Sequence, residues 1–532
     1  MDFLLHHMLR SSAARFPEAE ALVHGDRRLS YRDVAAAVAS LARGLRAVGV
    51  RRCDRVGVYL EPSVEQVLSI FAASQSGGAF VPMHHGLFAR QIAHIVNDCE
   101  MRVLITDASR LEKLQEILDE TPSLETIVLV GEGESAVPST SLPCQLVSFQ
   151  TLLENDDNRS PSEAWQDVAI EKDLGAILYT SGSTGKPKGV MLSHGNIVAG
   201  AAIVSDYLSI TEDDRILAVL PFSFDAGLNQ LTTAFQQGST LVLTTFLFAK
   251  EIVEVLEREA ITGLAGVPSL WALLAQSSSK LKATPLPCLR YITNTGGAMQ
   301  ENVLAKLREA LPTTQPFLMY GLTEAFRSTY LPPEELDRRP NSIGKAIPNT
   351  EILVVNEAGE LCGPDEPGEL VHHGPTVSMG YWGHPELTAR VLRPHPFPQP
   401  GEAEPSKVCY SGDLVKRDAE GFLYFIGRRD NQIKSSGFRV SPTEIEEILC
   451  KSADLQEAAV IGIPDPVLGH RIKAFVVASE GHSIQSDDLL AQCSTAMPRH
   501  MIPKAIEIVD TLPKTSSGKV DYPALRQCEG VV

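Results

Sequence analysis

Along the first 130 residues the spacing of apolar positions changes period in a regular way. Residues 31–48 (YRDVAAAVASLARGLRAV) repeat Ala, Val and Leu at helical spacing and run into Gly49, a helix stop. Residues 55–60 (RVGVYL) read as a short buried strand, 64–76 as a helix, and 79–83, 103–106 and 126–130 as further strands. Strands alternating with helices predict βαβ units and a mainly parallel sheet. Residues 131–165 are polar and rich in Ser, Glu, Asp and Pro, which predicts a surface excursion.

The alternation resumes from residue 174 to about 355. Gly- and Pro-rich turns then dominate to about 405, as in GPDEPG at 363–368, and predict a β-rich region of shorter strands. A last unit starts near Arg429, with helices at 442–449 and 486–491 and strands at 458–463 and 473–477. The expected architecture is α/β. A large N-terminal body (1–428) of several subdomains carries parallel sheets and a β-rich part, and a small mobile α+β domain (429–532) follows.

Composition narrows the partners. The chain has 532 residues, 44% hydrophobic and 21% charged, enough for roughly three or four compact units. Sixty-six acidic residues against 47 basic ones leave a net charge of −19, which repels nucleic-acid backbones and anionic membranes. An anionic nucleotide then needs a local site of basic side chains and backbone N–H groups. Nine cysteines are scattered with no CxxC spacing, which argues against a zinc site or a disulfide framework. The N-terminus lacks the basic and apolar regions of a signal peptide, and no apolar run reaches the ~20 residues that span a bilayer. A reducing cytoplasm is the expected home.

Residues 179–194 (YTSGSTGKPKGVMLSH) carry the clearest chemistry. After the apolar run 175–178, Thr180, Ser181, Gly182, Ser183, Thr184 and Gly185 let backbone approach an anion and offer several donors. Lys186 and Lys188 add positive charge, and Pro187 stiffens the path between them. An arbitrary Gly/Ser-rich loop is a flexible turn, but this density of small residues, two lysines and a preceding strand is coordinated. A P-loop requires G-x-x-x-x-G-K-[ST]; here the glycine spacing is too short and Pro187 stands where the hydroxyl belongs.

This loop resembles the hallmark of the AMP-forming adenylating superfamily, which includes acyl-CoA synthetases, stand-alone adenylation domains of peptide synthetases and luciferase. Five more segments resemble it in the same order. NTGGA at 294–298 resembles the adenine-contacting segment, with Gly296, Gly297 and Ala298. YGLTE at 320–324 is similar to the family's Y-G-x-T-E. The resemblance implies that Tyr320 stacks on adenine beside Gly321, Thr323 contacts phosphate and Glu324 holds Mg²⁺, a hard cation suited to carboxylate oxygens. On its own the YGLTE string reads as a turn before a helix.

Asp413, in YSGD, matches the aspartate that binds both ribose hydroxyls, and Arg428 would face ribose and phosphate. Asp430 falls at the family's hinge position, and Gly437, in KSSGFR, at the tunnel for the pantetheine thiol. LPKTSSGK at 512–519 ends in the family's adenylation lysine, here Lys519; Lys514 keeps the reading of a solvated surface charge. The resemblance implies an acid activated by ATP and Mg²⁺ to an acyl-adenylate, with Lys519, Thr180 and Glu324 as catalytic groups, and then passed to a thiol. His194 is expected to begin the next helix rather than act as a base.

For the acid, residues 222–230 (FSFDAGLNQ) resemble the segment of amino-acid adenylation domains whose aspartate, here Asp225 after Phe224, binds the α-ammonium. The same resemblance places Ala226, Asn229, Ala265, Thr293, Thr295, Met319, Arg327 and Ser328 along the acyl site, with Asn229 and Met319 limiting its depth. Three environments are open to Arg327: an ion pair with Asp225, which would undermine an amino-acid reading, a carboxylate of the substrate, or solvent. A small, proline-like amino acid passed to the phosphopantetheine of a separate carrier protein is the favoured expectation, with CoA as the other acceptor. Fatty or aryl acyl-CoA ligases are the alternative, and segments of the chain also look like exosortase-associated acyl-CoA ligases. A non-catalytic regulatory homologue is disfavoured because Lys186, Glu324, Asp413, Arg428 and Lys519 are all present.

Overall fold

The computed structural model describes residues 1–131, 142–154, 166–180, 187–398, 401, 404–429, 433–435, 438–452, 454–465, 469–479, 481–497, 501–515 and 518–530. Two large sheets face one another in the body. One places Arg55–Tyr59 between Ala79–Pro82 and Val103–Asp107, followed by Thr126–Val130 and Gln145–Ser148, all parallel. Leu174–Thr180 joins this sheet beside Ala79–Pro82, and Lys188–Ser193 and Gly380–Tyr381 close its other side in antiparallel pairs.

The second sheet runs parallel through Glu20–His24, Thr240–Leu243, Arg215–Ala218, Gly263–Gly266, Tyr291–Asn294 and Gln315–Leu322. From Ala325–Leu331 onward it turns antiparallel and takes in Ser342–Ala346, Leu423–Arg428, Lys407–Arg417, Gly368–His373 and Glu351–Val355. The β-rich region is thus an antiparallel extension of a parallel sheet, and it begins at Ala325 rather than after residue 355, the last helix before it being Glu301–Ala310.

The main core lies between the two sheets and is filled by helices Leu5–Arg15, Tyr31–Ala47, Val64–Ser76, His194–Tyr207 and Asp225–Gln237. The helix at Tyr31 forms where the pattern placed it. Ser30 Oγ accepts from Asp33 N, the Asp33 carboxylate accepts from Ser30 N, and Tyr31, Val34, Val38, Leu41 and Leu45 share the buried stripe. Helices Ala249–Arg258, Pro268–Gln276 and Glu301–Ala310 cover the outer face of one sheet; Ala89–Asp98 and Ala108–Leu114 cover that of the other. The arrangement is five layers of alternating helix and sheet.

One expectation needs correction. The polar stretch 131–165 is not all surface excursion: Gln145–Ser148 adds a parallel edge strand, and Phe149–Glu154 is a helix burying Phe149 and Leu152. Two apolar residues a helical step apart suffice to anchor it, a signal diluted by the polar residues around it. C-terminal to the body, Ile433–Ser435, Phe438–Val440, Leu455–Asp465, Gly469–Ala478 and Ala505–Ile508 form a separate five-stranded sheet. Helices Pro442–Leu449 and Ser486–Ala496 pack over its core. Among the described residues no helix is long and apolar enough to cross a membrane, and all nine cysteines are free thiols.

Candidate active site

The glycine-rich loop joins two antiparallel strands. Leu174–Thr180 and Lys188–Ser193 pair antiparallel down to Thr180 opposite Lys188; residues 181–186 lie outside the described residues. The base of the loop is braced from behind: Tyr179 Oη donates to Asp98 Oδ2 (2.6 Å), and the His94 ring bonds Pro187 O (3.0 Å). His194 opens the following helix, capped by Ser193. Its Nδ1 accepts from Leu5 N (3.4 Å), and burial pulls its pKa down to about 4, so it is a neutral core histidine.

YGLTE is a hairpin rather than a turn before a helix. Gln315–Leu322 runs into Thr323 and Glu324 and returns as the antiparallel strand Ala325–Leu331. The local string resembles a helix start, but the strand Ser342–Ala346 on the far side holds residues 325–331 extended. At the tip, Tyr381 Oη donates to Glu324 Oε1, and this is the one side-chain hydrogen bond of Glu324 among the described residues. The carboxylate is thereby oriented with its other oxygen unengaged, a donor set that fits a hard cation such as Mg²⁺. Tyr381 comes from the other sheet and has no motif of its own, so the sequence offered only the Gly-Tyr-Trp cluster at 380–382 as a signal.

Beside this tip Tyr320 Oη donates to Asp413 Oδ2 (2.5 Å), and Arg428 Nε lies 3.2 Å from Asp413 Oδ1. Asp413 and Arg428 face each other across a strand pair. Burial and the Asp413 charge hold the Tyr320 phenol well above its usual pKa, so it stays a donor. The three residues predicted for adenine, ribose and phosphate are therefore in one cluster.

The fourth wall is the turn after Tyr291–Asn294. Asn294 Nδ2 donates to Gly297 O (2.8 Å), and Gly296 takes φ +81°. A Cβ built on Gly296 would lie 3.5 Å from Lys519 Cε, so the predicted lysine reaches across from the C-terminal part to this turn. Its own turn is fixed by Thr515 N donating to Lys519 O (2.8 Å) and Gly518 N to Thr515 O (2.9 Å). Lys514 instead pairs with Glu457 at 2.7 Å.

The predicted acyl residues converge as well. Ala265 lies beside Thr293 and Thr293 beside Phe317 in adjacent parallel strands, and Thr295 and Met319 follow two positions on, on the same face. Asp225 is the first residue of its helix, with Ala226 and Asn229 behind it. Asp225 is half-buried and makes no hydrogen bond or ion pair among the described residues. Phe224 lies 5.7 Å, ring to ring, from His84, a neighbour the sequence did not single out. Burial lowers the His84 pKa to about 4.

Arg327 sits in a β-bulge. Tyr320 pairs with Thr329 and Leu322 with Ala325, so Gly321 alone faces Phe326, Arg327 and Ser328. Arg327 takes φ +63° there and is 3% exposed; its Nη1 donates to Thr295 Oγ1 at 2.9 Å. No carboxylate lies within 4 Å of it among the described residues, which removes the Asp225 pair, and its burial removes solvent. Ser328 is held elsewhere, by the buried neutral His372 ring (2.9 Å).

A family model described as AMP-binding enzyme matches residues 9–382, and one described as AMP-binding enzyme C-terminal domain matches 444–519. The chain belongs to the AMP-binding enzyme family. It is 32% identical over 514 residues to a feruloyl-CoA synthase of Amycolatopsis sp, covering 95% of this chain and 94% of that one. It is also 32% identical over 537 residues to a delta-poly-L-ornithine synthetase of Acinetobacter baumannii, covering 99% of this chain but 37% of that one. A crystal structure of an anthranilate CoA ligase in complex with anthranoyl-AMP superimposes with TM-score 0.86 at 25% identity, over 99% of this chain and 97% of that one. As an AMP-binding enzyme the chain is an AMP-forming acid–thiol ligase using ATP, Mg²⁺ and the thiol of CoA or phosphopantetheine.

Proposed function

We propose that this ligase adenylates a small amino acid and loads it onto the phosphopantetheine of a separate carrier protein in the cytoplasm. The observation that supports the substrate reading is Asp225: a half-buried carboxylate on the helix that carries Ala226 and Asn229, with no partner among the described residues and none supplied by Arg327. A substrate ammonium is the complement it lacks, since a carboxylate facing an apolar wall is costly unless paired. The rival assignment of Asp225, a charge favouring a helix N-terminus, leaves its pairing unexplained.

In the first half-reaction the acid's carboxylate oxygen attacks the α-phosphorus of ATP and pyrophosphate leaves, so the carboxylate acquires AMP as a good leaving group. The barrier is one of charge and alignment, and no nucleophilic side chain is needed. Lys519, held against Gly296, is assigned to the incoming carboxylate and the α-phosphate. Tyr320, Asp413 and Arg428 hold the nucleoside, and Thr180 to Lys188 and Thr323 the phosphates. Mg²⁺, when bound, would sit on Glu324 and neutralise polyphosphate charge. In the second half-reaction the thiolate attacks the acyl carbon and AMP departs. Residues 429–532 are taken as the moving unit, turning at Asp430 so that Gly437 borders the thiol tunnel; both residues lie outside the described residues.

A second reading, an aryl or fatty acyl-CoA ligase, is favoured by the feruloyl-CoA synthase relative, which is matched over most of its length. Pyrophosphate release with Mg-ATP, across the proteinogenic amino acids and a series of aryl and fatty acids, separates the two. An amino-acid response falling by about a hundredfold in Asp225→Ala is expected from loss of a charge-assisted bond. A response confined to aryl or fatty acids and indifferent to Asp225→Ala would establish the second reading.

A further inference from the structure

Arg327 is a buried and poorly compensated charge in the body. Its guanidinium has five N–H donors; among the described residues one bond is formed, to Thr295 Oγ1, and Nε is buried without an acceptor. The remaining neighbours offer little. Phe326 presents its ring 5.8 Å from Cζ, and the nearby Tyr207 phenol is buried and bonds Met319 Sδ. A buried cation left in this state is costly. The backbone adds to it, because a non-glycine residue in the left-handed region, here at φ +63°, is itself strained. Strain at a bulge that re-aims one side chain, together with missing acceptors, marks a place completed by a ligand.

The family resemblance assigns a second orphan donor to the acyl site: Asn229 Nδ2, 4% exposed as a residue, is buried without a partner among the described residues. Thr295, which holds the guanidinium, is adjacent in sequence to Gly296, which faces Lys519 Cε. Consecutive α-carbons are about 3.8 Å apart, so Arg327 and Lys519 approach two neighbouring residues of one short stretch of backbone.

We propose that Arg327, with Asn229, forms a second anion subsite in the acyl pocket, so that the acid activated here carries a distal carboxylate. One carboxylate meets Lys519 and is adenylated. The other accepts from the guanidinium and stays ionised through both half-reactions. Combined with the amino-acid reading on which it rests, this makes the substrate a small acidic amino acid.

The test compares isosteric partners in the pyrophosphate assay: aspartate against asparagine, glutamate against glutamine, and succinate as a diacid without an ammonium group. The wild-type enzyme should favour each acid over its amide by about a hundredfold in kcat/KM, the worth of a charge-assisted pair. Arg327→Met should erase that preference by raising KM for the acid, Arg327→Lys should restore part of it, and half-saturation by Mg-ATP should stay within about threefold of wild type. If Arg327→Met does not fold, the wild-type acid-to-amide ratio still decides. A wild-type preference for neutral amino acids would overturn the subsite and leave the amino-acid ligase standing. Turnover of succinate that is lost in Arg327→Met but untouched by Asp225→Ala would keep the subsite and remove the amino-acid reading.

Discussion

Lys519 is exposed, on a turn near the C-terminus, and by residue type alone it is a solvated surface charge. Two contacts change that: its own backbone is pinned by Thr515, and its Cε stands close over Gly296. In the mechanism proposed above, adenylation uses this cation and thiol transfer does not. Lys519→Ala should therefore lower carboxylate-dependent pyrophosphate release by about a hundredfold or more. Transfer from a chemically prepared acyl-adenylate to the thiol should continue at a comparable rate, and loss of both would refute the division of labour. Lys519 was legible because TSSGK precedes it. Tyr381, which orients Glu324 from 57 positions away, was not, since no local pattern encodes a bond between strands of different sheets.

At the scale of elements, helices with capping residues and clean apolar stripes were read to within a residue or two, as at Tyr31–Ala47 and Pro442–Leu449. Strand pairing was the weak point. The hairpin after Leu322 is set by neighbours across the sheet, and the strand read at 458–463 extends over Leu455–Asp465 because it pairs with Gly469–Ala478 along its length.

One element carries a titrating group in its core-facing stripe. Glu446, on the helix Pro442–Leu449, accepts from Tyr522 Oη (2.8 Å) and Val460 N (2.7 Å), with Cys450 and Glu447 nearby. Burial raises its pKa from 4.5 to about 7. Between those values the folded form keeps a proton that the unfolded form has released, so stability is present at low pH and falls as pH rises through the window. Hydrogen exchange of the strand Leu455–Asp465 should thus report local stability lower at pH 8 than at pH 5, by on the order of 2–3 kcal/mol. Glu446→Gln, which keeps an acceptor, should flatten that dependence, and an unchanged slope in the variant would assign it to other groups.

At the scale of the whole molecule, the body and the C-terminal sheet meet around Lys519 and Gly296, and Gln300 Nε2 donates to Gln456 O (3.2 Å) across the same seam. In the proposed mechanism this is the arrangement that adenylates, and the seam opens for a thiol to reach the acyl carbon. Asp430→Pro restricts φ at the proposed pivot. It should leave adenylation within about threefold of wild type and slow thiol transfer by at least about tenfold. Wild-type rates for both half-reactions would exclude Asp430 as the pivot. The alternation of strands and helices and the split between body and small unit were foreshadowed by the period changes along the chain, whereas the seam depends on residues 150 or more positions apart.

The bond between Tyr381 and Glu324 has a consequence for assembly. Tyr381 belongs to an edge strand of one sheet and Glu324 to a hairpin of the other. The carboxylate is aimed only after both sheets have formed and come to rest in register against their common helices. A chain whose halves have folded but not docked would possess every residue of the site and still present a misdirected ligand. If Glu324 holds the cation as proposed, alignment of that ligand is therefore tied to completion of the body.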